Sequence, residues 1–156
     1  MAVIQTVLGP VSPNDLGVTM MHEHVVAHFN ERLKALEFDY AIRELKKARM
    51  WGCRTIEVGP PRMFLQANGR GNIPVLQEVA RRAGVDMLCC TGYYQIHPEI
   101  KDKGTEAIAD EMVTEIIDGI DGTTVRAGLI KVSANHVPLE PSEEKIFTAA
   151  AKAQSQ

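Results

Sequence analysis

Two histidines separated by one residue, His22 and His24, are the strongest chemical signal in the sequence. They follow a turn-rich segment, residues 9–15, and sit in a run typical of a buried strand over residues 17–24. Alternate side chains of a strand share a face, so both imidazoles should project together, about 6–7 Å apart along the backbone, with Glu23 on the other face. Two such imidazoles can bind one divalent cation, for zinc at about 2.0–2.1 Å per nitrogen. A hydrogen-bonded buried pair is the alternative, but desolvating two neighbouring imidazoles is costly, so the pattern favours metal binding.

A lysine inside an apolar run, Lys131 between Ile130 and Val132, is the second signal. A full charge there is expensive unless it is paired or the amine becomes neutral. A side chain that reaches solvent at the end of the strand would explain the position equally well, so the sequence leaves both roles open. Like the histidines, Lys131 lies near the carboxyl end of a predicted strand, where parallel α/β folds place their active sites.

The other histidines and two adjacent tyrosines are weaker candidates. His28 and His136 fall in predicted loops and His97 follows the third predicted strand, so each is expected to be a loop or surface residue. Tyr93 and Tyr94 come just after the same strand, where one ring could form the wall of a substrate pocket with a hydroxyl handle. Packing beneath a loop would explain these tyrosines equally well.

Four strand–helix units are predicted to position these residues. The predicted strands are residues 17–24, 55–59, 86–91 and 127–133, and the predicted helices are residues 39–50, 73–84, 108–120 and a last one opening at 141–144. Residues 2–8 are expected to pair with residues near Leu16 in a small hairpin. Repeated units of about 30–40 residues indicate parallel strands, in either an open doubly wound sheet or a (β/α)8 barrel. The GxGxxG loop of a dinucleotide-binding open sheet does not follow the first predicted strand.

Composition limits the class of protein. With 156 residues, 45% of them hydrophobic, the chain can bury the core of one domain. A formal charge of −3 without a basic run argues against nucleic acid or an anionic membrane as partner and favours a small molecule. The sequence has no long apolar run and its start lacks the pattern of a signal peptide, so a cytoplasmic location is expected. Three cysteines without CxxC spacing imply neither disulfides nor a thiolate zinc site, and Cys89 and Cys90 are expected to be buried.

Several segments, in order, resemble the phosphotriesterase-like branch of the amidohydrolase superfamily. They are Leu8-Gly9-Pro10, Gly17-Val18-Thr19 leading into His22-Glu23-His24, residues 67–70, Thr91-Gly92-Tyr93-Tyr94 and Ala127-Gly128-Leu129-Ile130-Lys131. The resemblance implies an α/β fold of the (β/α)8 TIM-barrel type with only the first four βα units present. Residues 1–156 would then be the N-terminal half of such a barrel, with a short hairpin over residues 1–17 and βα units over 18–156.

The resemblance also implies a site with two divalent metal ions, expected to be zinc. The matching ligands are His22 and His24 on one ion and a carboxylated Lys131 that bridges both. Tyr94 falls where the family lines its substrate pocket, and a tyrosine there resembles the lactonase members. The family takes two more histidines and an aspartate from later strands that this chain does not include, so no catalytic residue is assigned within it.

The resulting hypothesis is a metal-dependent hydrolase of lactones, carboxyl esters or phosphotriesters that works through a metal-activated hydroxide. The half-length chain is expected to be inactive alone. The alternative is a catalytically silent half-barrel that acts as a scaffold or as a homo-oligomer, because unpaired sheet edges invite association. A third reading is a small open α/β binding module that resembles the family only locally.

Overall fold

A computed structural model describes residues 2–25, 34–59, 72–94 and 98–156. Six strands are present in those ranges: β1 (Ile4–Thr6), β2 (Gly9–Val11), β3 (Val18–Glu23), β4 (Cys53–Val58), β5 (Asp86–Thr91) and β6 (Leu129–Ile130). The helices are α1 (Lys34–Met50), α2 (Ile73–Ala83), α3 (Pro98–Lys101), α4 (Thr105–Ile117) and α5 (Pro141–Gln154), with 3-10 turns at Pro13–Asp15 and Ile120–Gly122.

The main sheet has four parallel strands in the order β3-β4-β5-β6. Each strand therefore pairs with the next one along the chain. A doubly wound sheet reverses its strand order at a switch point, whereas a barrel adds strands consecutively. The order confirms the predicted fold, the first four βα units of a (β/α)8 barrel, and argues against the open α/β module.

Helix α2 shows how closely local sequence sets an element. The Asn72 side chain caps its start by accepting a hydrogen bond from the Val75 amide, and Gly84 ends it with φ 72°, a left-handed conformation that glycine adopts without strain. Both ends match the prediction. The following strand, β5, also has the predicted bounds.

Two apolar clusters form the core, one on each half of the sheet. Leu45 of α1 and Leu76 of α2 belong to the same buried cluster as Met87 of β5. Helices α4 and α5 pack around Tyr93 and Ile146 in a second cluster. Each helix buries one face against the sheet or a neighbouring helix. This packing fixes the positions of the strands and therefore of the residues at their ends. The three cysteines, Cys53, Cys89 and Cys90, are free and buried, which confirms the burial predicted for Cys89 and Cys90.

The outer strands depart from the predictions. Strand β3 was expected to be buried, but its residues are half-buried or exposed because it has a neighbour on one side only. The predicted strand over residues 127–133 is reduced to β6. Its ladder nevertheless continues, since the Gly128 amide donates to the Cys89 carbonyl oxygen and the Lys131 amide to that of Thr91.

Three further boundaries were predicted wrongly. The N-terminal strand pairs with Gly9–Val11 rather than with residues near Leu16, because a turn fixed by the Thr6 hydroxyl donating to the Gly9 carbonyl oxygen closes the hairpin early. Helix α4 spans Thr105–Ile117 rather than residues 108–120. Helix α1 begins before residue 39, at Lys34. Over the described ranges, none of the helices has the length and apolar character needed to cross a bilayer.

Candidate functional site

The two histidines lie at the carboxyl end of β3 with their rings facing each other. The Nε2 atoms of His22 and His24 are 3.1 Å apart, and the ring centroids are 5.1 Å apart at 51°. Two nitrogens bound tetrahedrally to one zinc ion would be about 3.3 Å apart, given zinc–nitrogen bonds of about 2.0–2.1 Å. The observed separation suits two ligands of one cation and also an N–H···N hydrogen bond between the two rings. Both side chains are exposed rather than buried, so the cost of desolvating two imidazoles does not argue for a metal here.

Lys131 meets these histidines from the opposite edge of the sheet. Its Nζ donates to His22 Nδ1 at 2.9 Å, although β3 and β6 are the outer strands, with β4 and β5 between them. In a flat sheet three strand spacings would separate those strands by about 14 Å. The contact therefore requires a strongly curved sheet whose inner face gathers the side chains at the strand ends, as in a barrel.

A buried carboxylate, Glu57 on β4, fixes the lysine. Lys131 Nζ donates to Glu57 Oε2 at 2.5 Å, and the two side chains are 18% and 1% exposed. Burial opposes the charge on Lys131, but the hydrogen bond and charge of Glu57 outweigh it, so the pKa of Lys131 is raised. The sequence left open how a charged lysine is tolerated in an apolar strand. The structure shows that Lys131 forms an ion pair with Glu57.

Glu57 itself was missed by the sequence analysis. Its second oxygen, Oε1, is buried and accepts no hydrogen bond from the residues that the structure describes. The Cys90 thiol lies beside this carboxylate, and burial together with the negative charge of Glu57 raises the pKa of Cys90. The available signal was a glutamate within the apolar run Thr55-Ile56-Glu57-Val58, the same argument that singled out Lys131.

Gly59, directly after β4, lies close to the lysine amine and the Glu57 carboxylate. A Cβ atom added there would lie 2.8 Å from Lys131 Nζ and 3.5 Å from each oxygen of Glu57. The first of these distances is too short for a real side chain to tolerate without a shift. In the sequence Gly59 signalled only the end of a strand, whereas the structure places it next to Lys131 and Glu57.

The two tyrosines have different surroundings. Tyr93 is buried, and its hydroxyl donates to Glu111 Oε2 at 2.7 Å. Tyr94 is half-buried, and burial raises the pKa of its phenol while the nearby Lys131 amine acts in the opposite direction. The Ser133 hydroxyl donates to the Tyr94 carbonyl oxygen at 3.1 Å, which ties the loop after β5 to the segment after β6. Tyr94 is therefore the tyrosine that stands next to the charged cluster.

Other predicted residues do not join the cluster. His136 lies in a loop, as predicted, and its Nδ1 is 3.1 Å from Glu143 Oε1. His28, His97 and residues 67–70 are outside the described residues. Within the described ranges, no group of three or more histidine, cysteine, aspartate or glutamate side chains is arranged to hold a metal ion.

The residues that are present fit part of a metal centre. They supply two imidazole nitrogens at ligand spacing and an amine in contact with one of the two rings. Imidazole and carboxylate-type oxygen ligands suit zinc and related divalent ions. This chain could hold one side of such a centre, and the remaining ligands would have to come from elsewhere.

Comparison with known proteins gives consistent results. A model of the Phosphotriesterase family matches residues 2–156. The chain is 34% identical over 149 residues to a phosphotriesterase homology protein of Escherichia coli, a match that covers 90% of this chain and 49% of that protein. It is 30% identical over 154 residues to an aryldialkylphosphatase of Saccharolobus solfataricus, covering 90% of this chain and 47% of the relative.

Two further similarities extend the comparison. The chain is 29% identical over 191 residues to an N-acetyltaurine hydrolase of Salmo salar, covering 98% and 53% of the two chains. A crystal structure of the Escherichia coli phosphotriesterase homology protein, with phosphate in its active site, superposes with a TM-score of 0.77 at 31% identity, covering 91% of this chain and 50% of that one. The chain thus spans about half the length of the curated relatives it matches.

Proposed function

The chain belongs to the phosphotriesterase family, a family with hydrolase members, and on that premise we propose that it supplies one half of a metal-dependent active site for ester hydrolysis. The substrate would be a small lactone, carboxyl ester or phosphotriester. The observation that carries the proposal is the meeting of His22, His24 and Lys131 at the carboxyl end of the sheet, with 3.1 and 2.9 Å between their nitrogens.

His22 and His24 would hold one divalent ion, with zinc as the expected metal, and a carboxylated Lys131 would bridge it to a second ion. Such an ion polarises an acyl or phosphoryl oxygen and lowers the pKa of water. The remaining ligands would come from the other half of a barrel. For this reason we expect the 156-residue chain to bind metal weakly and to be inactive alone.

The proton on His22 links metal binding to the state of Lys131. A neutral imidazole that binds a cation through Nε2 carries its proton on Nδ1 and needs an acceptor there. The neighbour of Nδ1 is Lys131 Nζ, at 2.9 Å, which as an ammonium is only a donor. Metal binding through His22 Nε2 therefore requires the present contact between Nδ1 and the Lys131 ammonium to change.

Tyr94 would contribute to substrate binding. Its half-buried ring next to Lys131 offers an apolar surface, with a hydroxyl that can donate to an ester oxygen. This combination suits an acyl chain or a lactone ring better than a highly charged substrate.

Metal binding provides the direct test. In calorimetric titration of the metal-free chain with zinc, we expect binding that is weakened at least about 100-fold in the His22→Asn/His24→Asn double variant, more than loss of an outer-shell partner costs. His136→Asn is the matched control, since that histidine pairs with Glu143 away from the cluster. Equal zinc affinity in the wild type and the double variant would remove the basis of the proposal.

A second candidate role, self-association of a silent half-barrel, is favoured by the exposed edge of the sheet. Val18 and Met21 on β3 are 63% and 64% exposed. Exposed apolar strand edges invite pairing with another chain. Sedimentation velocity tests this role: a concentration-dependent dimer that dissociates in Met21→Lys supports it, whereas a monomer at all concentrations argues against it.

A further inference from the structure

We propose that a pocket at the amino ends of the strands binds a small organic molecule through its carboxylate group. Three parts of the chain form this hairpin pocket: the β1–β2 hairpin with Gln5 and Leu8, helix α2 with Gln77, and the segment before β6 with Thr124 and Arg126. Its volume of about 380 Å³ is within the range of about 300–1,000 Å³ that is usual for small-molecule sites. The candidate metal site lies at the opposite ends of the strands, so this inference goes beyond the proposed function and does not depend on it.

Hydrogen bonds fix the hairpin wall of this pocket. The Val7 amide donates to the carbonyl oxygen of Met87 in β5 at 2.8 Å, and the Gln77 side chain donates to the Val7 carbonyl oxygen at 2.9 Å. Within the hairpin, the Thr6 hydroxyl donates to the Gly9 carbonyl oxygen at 2.7 Å. A wall that is already in place needs little further ordering when a ligand binds, which favours binding.

Arg126 gives the hairpin pocket its preference for an anion. This arginine is exposed and forms no ion pair with another residue that the structure describes. None of the described residues that line the pocket is acidic, so its charge is not balanced locally. A guanidinium presents a planar set of donors that can form two parallel hydrogen bonds to a carboxylate. The pocket therefore favours an anion over a cation or a neutral molecule.

The other polar groups that line the pocket are neutral, which favours a ligand with one negative charge. The Gln77 side chain uses one N–H on the Val7 carbonyl oxygen, so its second N–H and its oxygen remain available to a ligand. Gln5 and Thr124 add an amide and a hydroxyl, and Leu8 adds apolar surface. A carboxylate on a small, partly apolar body suits this lining, whereas a phosphate dianion would meet only one positive charge.

Titration of the metal-free 156-residue chain with sodium benzoate, followed by proton–nitrogen NMR, tests the pocket. We expect saturable shifts of the Leu8, Thr124 and Arg126 amide signals. Arg126→Gln should weaken benzoate binding at least about tenfold, as expected for losing a charge-assisted hydrogen bond. Benzamide, which has nearly the same shape without the charge, should bind the wild type more weakly than benzoate by a similar factor. Arg81→Gln is the matched control, because Arg81 is an exposed arginine that pairs with Glu78 and does not line the pocket.

Three results would overturn the assignment. They are shifts that never saturate, benzoate affinity that is the same in Arg126→Gln as in the wild type, and equal affinity for benzoate and benzamide. Phenyl phosphate that binds more tightly than benzoate would overturn the carboxylate class in favour of a phosphoryl ligand. If Arg126→Gln does not fold by circular dichroism, the comparison of benzoate with benzamide on the wild type decides the question. Because no zinc is present, failure of the hairpin pocket leaves the proposed metal site standing, and loss of zinc binding leaves the pocket standing.

Discussion

Two buried glutamates, Glu57 on β4 and Glu143 on α5, use their carboxylates in opposite ways. Glu143 Oε1 accepts from the Asn135 amide at 2.6 Å and lies 3.1 Å from His136, and its Oε2 accepts from the Glu140 amide at 3.0 Å. The backbone amides of Asn135 and Glu140 lower the pKa of Glu143. Glu57 pairs one oxygen with Lys131 and leaves the other without a partner among the described residues.

The difference indicates what each carboxylate is for. A buried oxygen without a hydrogen bond costs about 1–3 kcal/mol, so a group that only supports the fold is expected to have its partners satisfied. Glu143 meets this expectation by closing the loop before α5. Glu57 does not, and its neighbours are the lysine and histidines of the candidate site.

Removing the partner of Glu57 should have the largest effect on stability. We expect Lys131→Met to lower the free energy of unfolding at pH 7 by about 3 kcal/mol, near the lower end for breaking a buried pair because Lys131 keeps some contact with solvent. Chemical denaturation measures this. Lys152→Met is the control: its ion pair with Glu106 is exposed and should contribute less than about 1 kcal/mol.

The double variant Glu57→Leu/Lys131→Met tests whether an unpaired Glu57 causes the instability of Lys131→Met. Replacing both partners removes the uncompensated charge, so most of the lost stability should return. If the double variant is as unstable as Lys131→Met alone, the instability of the single variant does not come from an unpaired Glu57.

The adjacent tyrosines also differ in whether they support the fold, and we expect smaller changes in stability from their substitution. Tyr93→Phe removes the partly buried hydrogen bond to Glu111 and should cost about 1 kcal/mol of unfolding free energy. Tyr94→Phe should change it by less than about 0.5 kcal/mol, because the half-buried ring is retained. Equal losses in thermal or chemical unfolding would mean that Tyr94 is as much a part of the core as Tyr93.

The smallest effect is expected at Glu143, where pH provides the measurement. Its pKa in the folded chain is below the ordinary value of 4.5, so the ionised group stabilises the fold above pH 4.5. That contribution is lost as pH falls through the lowered pKa. Glu143→Gln should therefore be less stable than the wild type at pH 7, with a difference that shrinks below pH 4.5. A difference independent of pH would assign the effect to packing instead.

Local signals in the sequence were sufficient for one helix and one inner strand, whereas the other inner strand, β4, spans Cys53–Val58 rather than the predicted residues 55–59. Helix α2 and strand β5 were predicted with correct ends because Asn72, Gly84 and the apolar run between them act within a few residues. The outer strands β3 and β6 were predicted less well. Their burial and length depend on how many strands pair with them, which the local sequence does not indicate. The assumption that His22 and His24 are buried failed for the same reason.

The candidate site was predictable only in part. Spacing and strand position identified His22, His24 and Lys131, which the structure brings together. Glu57 and Gly59 were missed because their roles depend on contacts between β4 and a residue more than seventy positions away. A charge in an apolar strand could have flagged Glu57, but the sequence carries no sign that Gly59 faces an amine.

Because His22 and Lys131 come from the two outer strands, the distance between them depends on how strongly the sheet is curved. His22 and Lys131 meet only because the four strands bend toward each other, so flattening the sheet would pull the nitrogens apart. By thermodynamic linkage, a cation that prefers the gathered arrangement would in turn hold the sheet bent. A companion half-barrel could therefore strengthen metal binding in two ways. It would add ligands, and it would keep the four strands curved so that the side chains at their ends stay together.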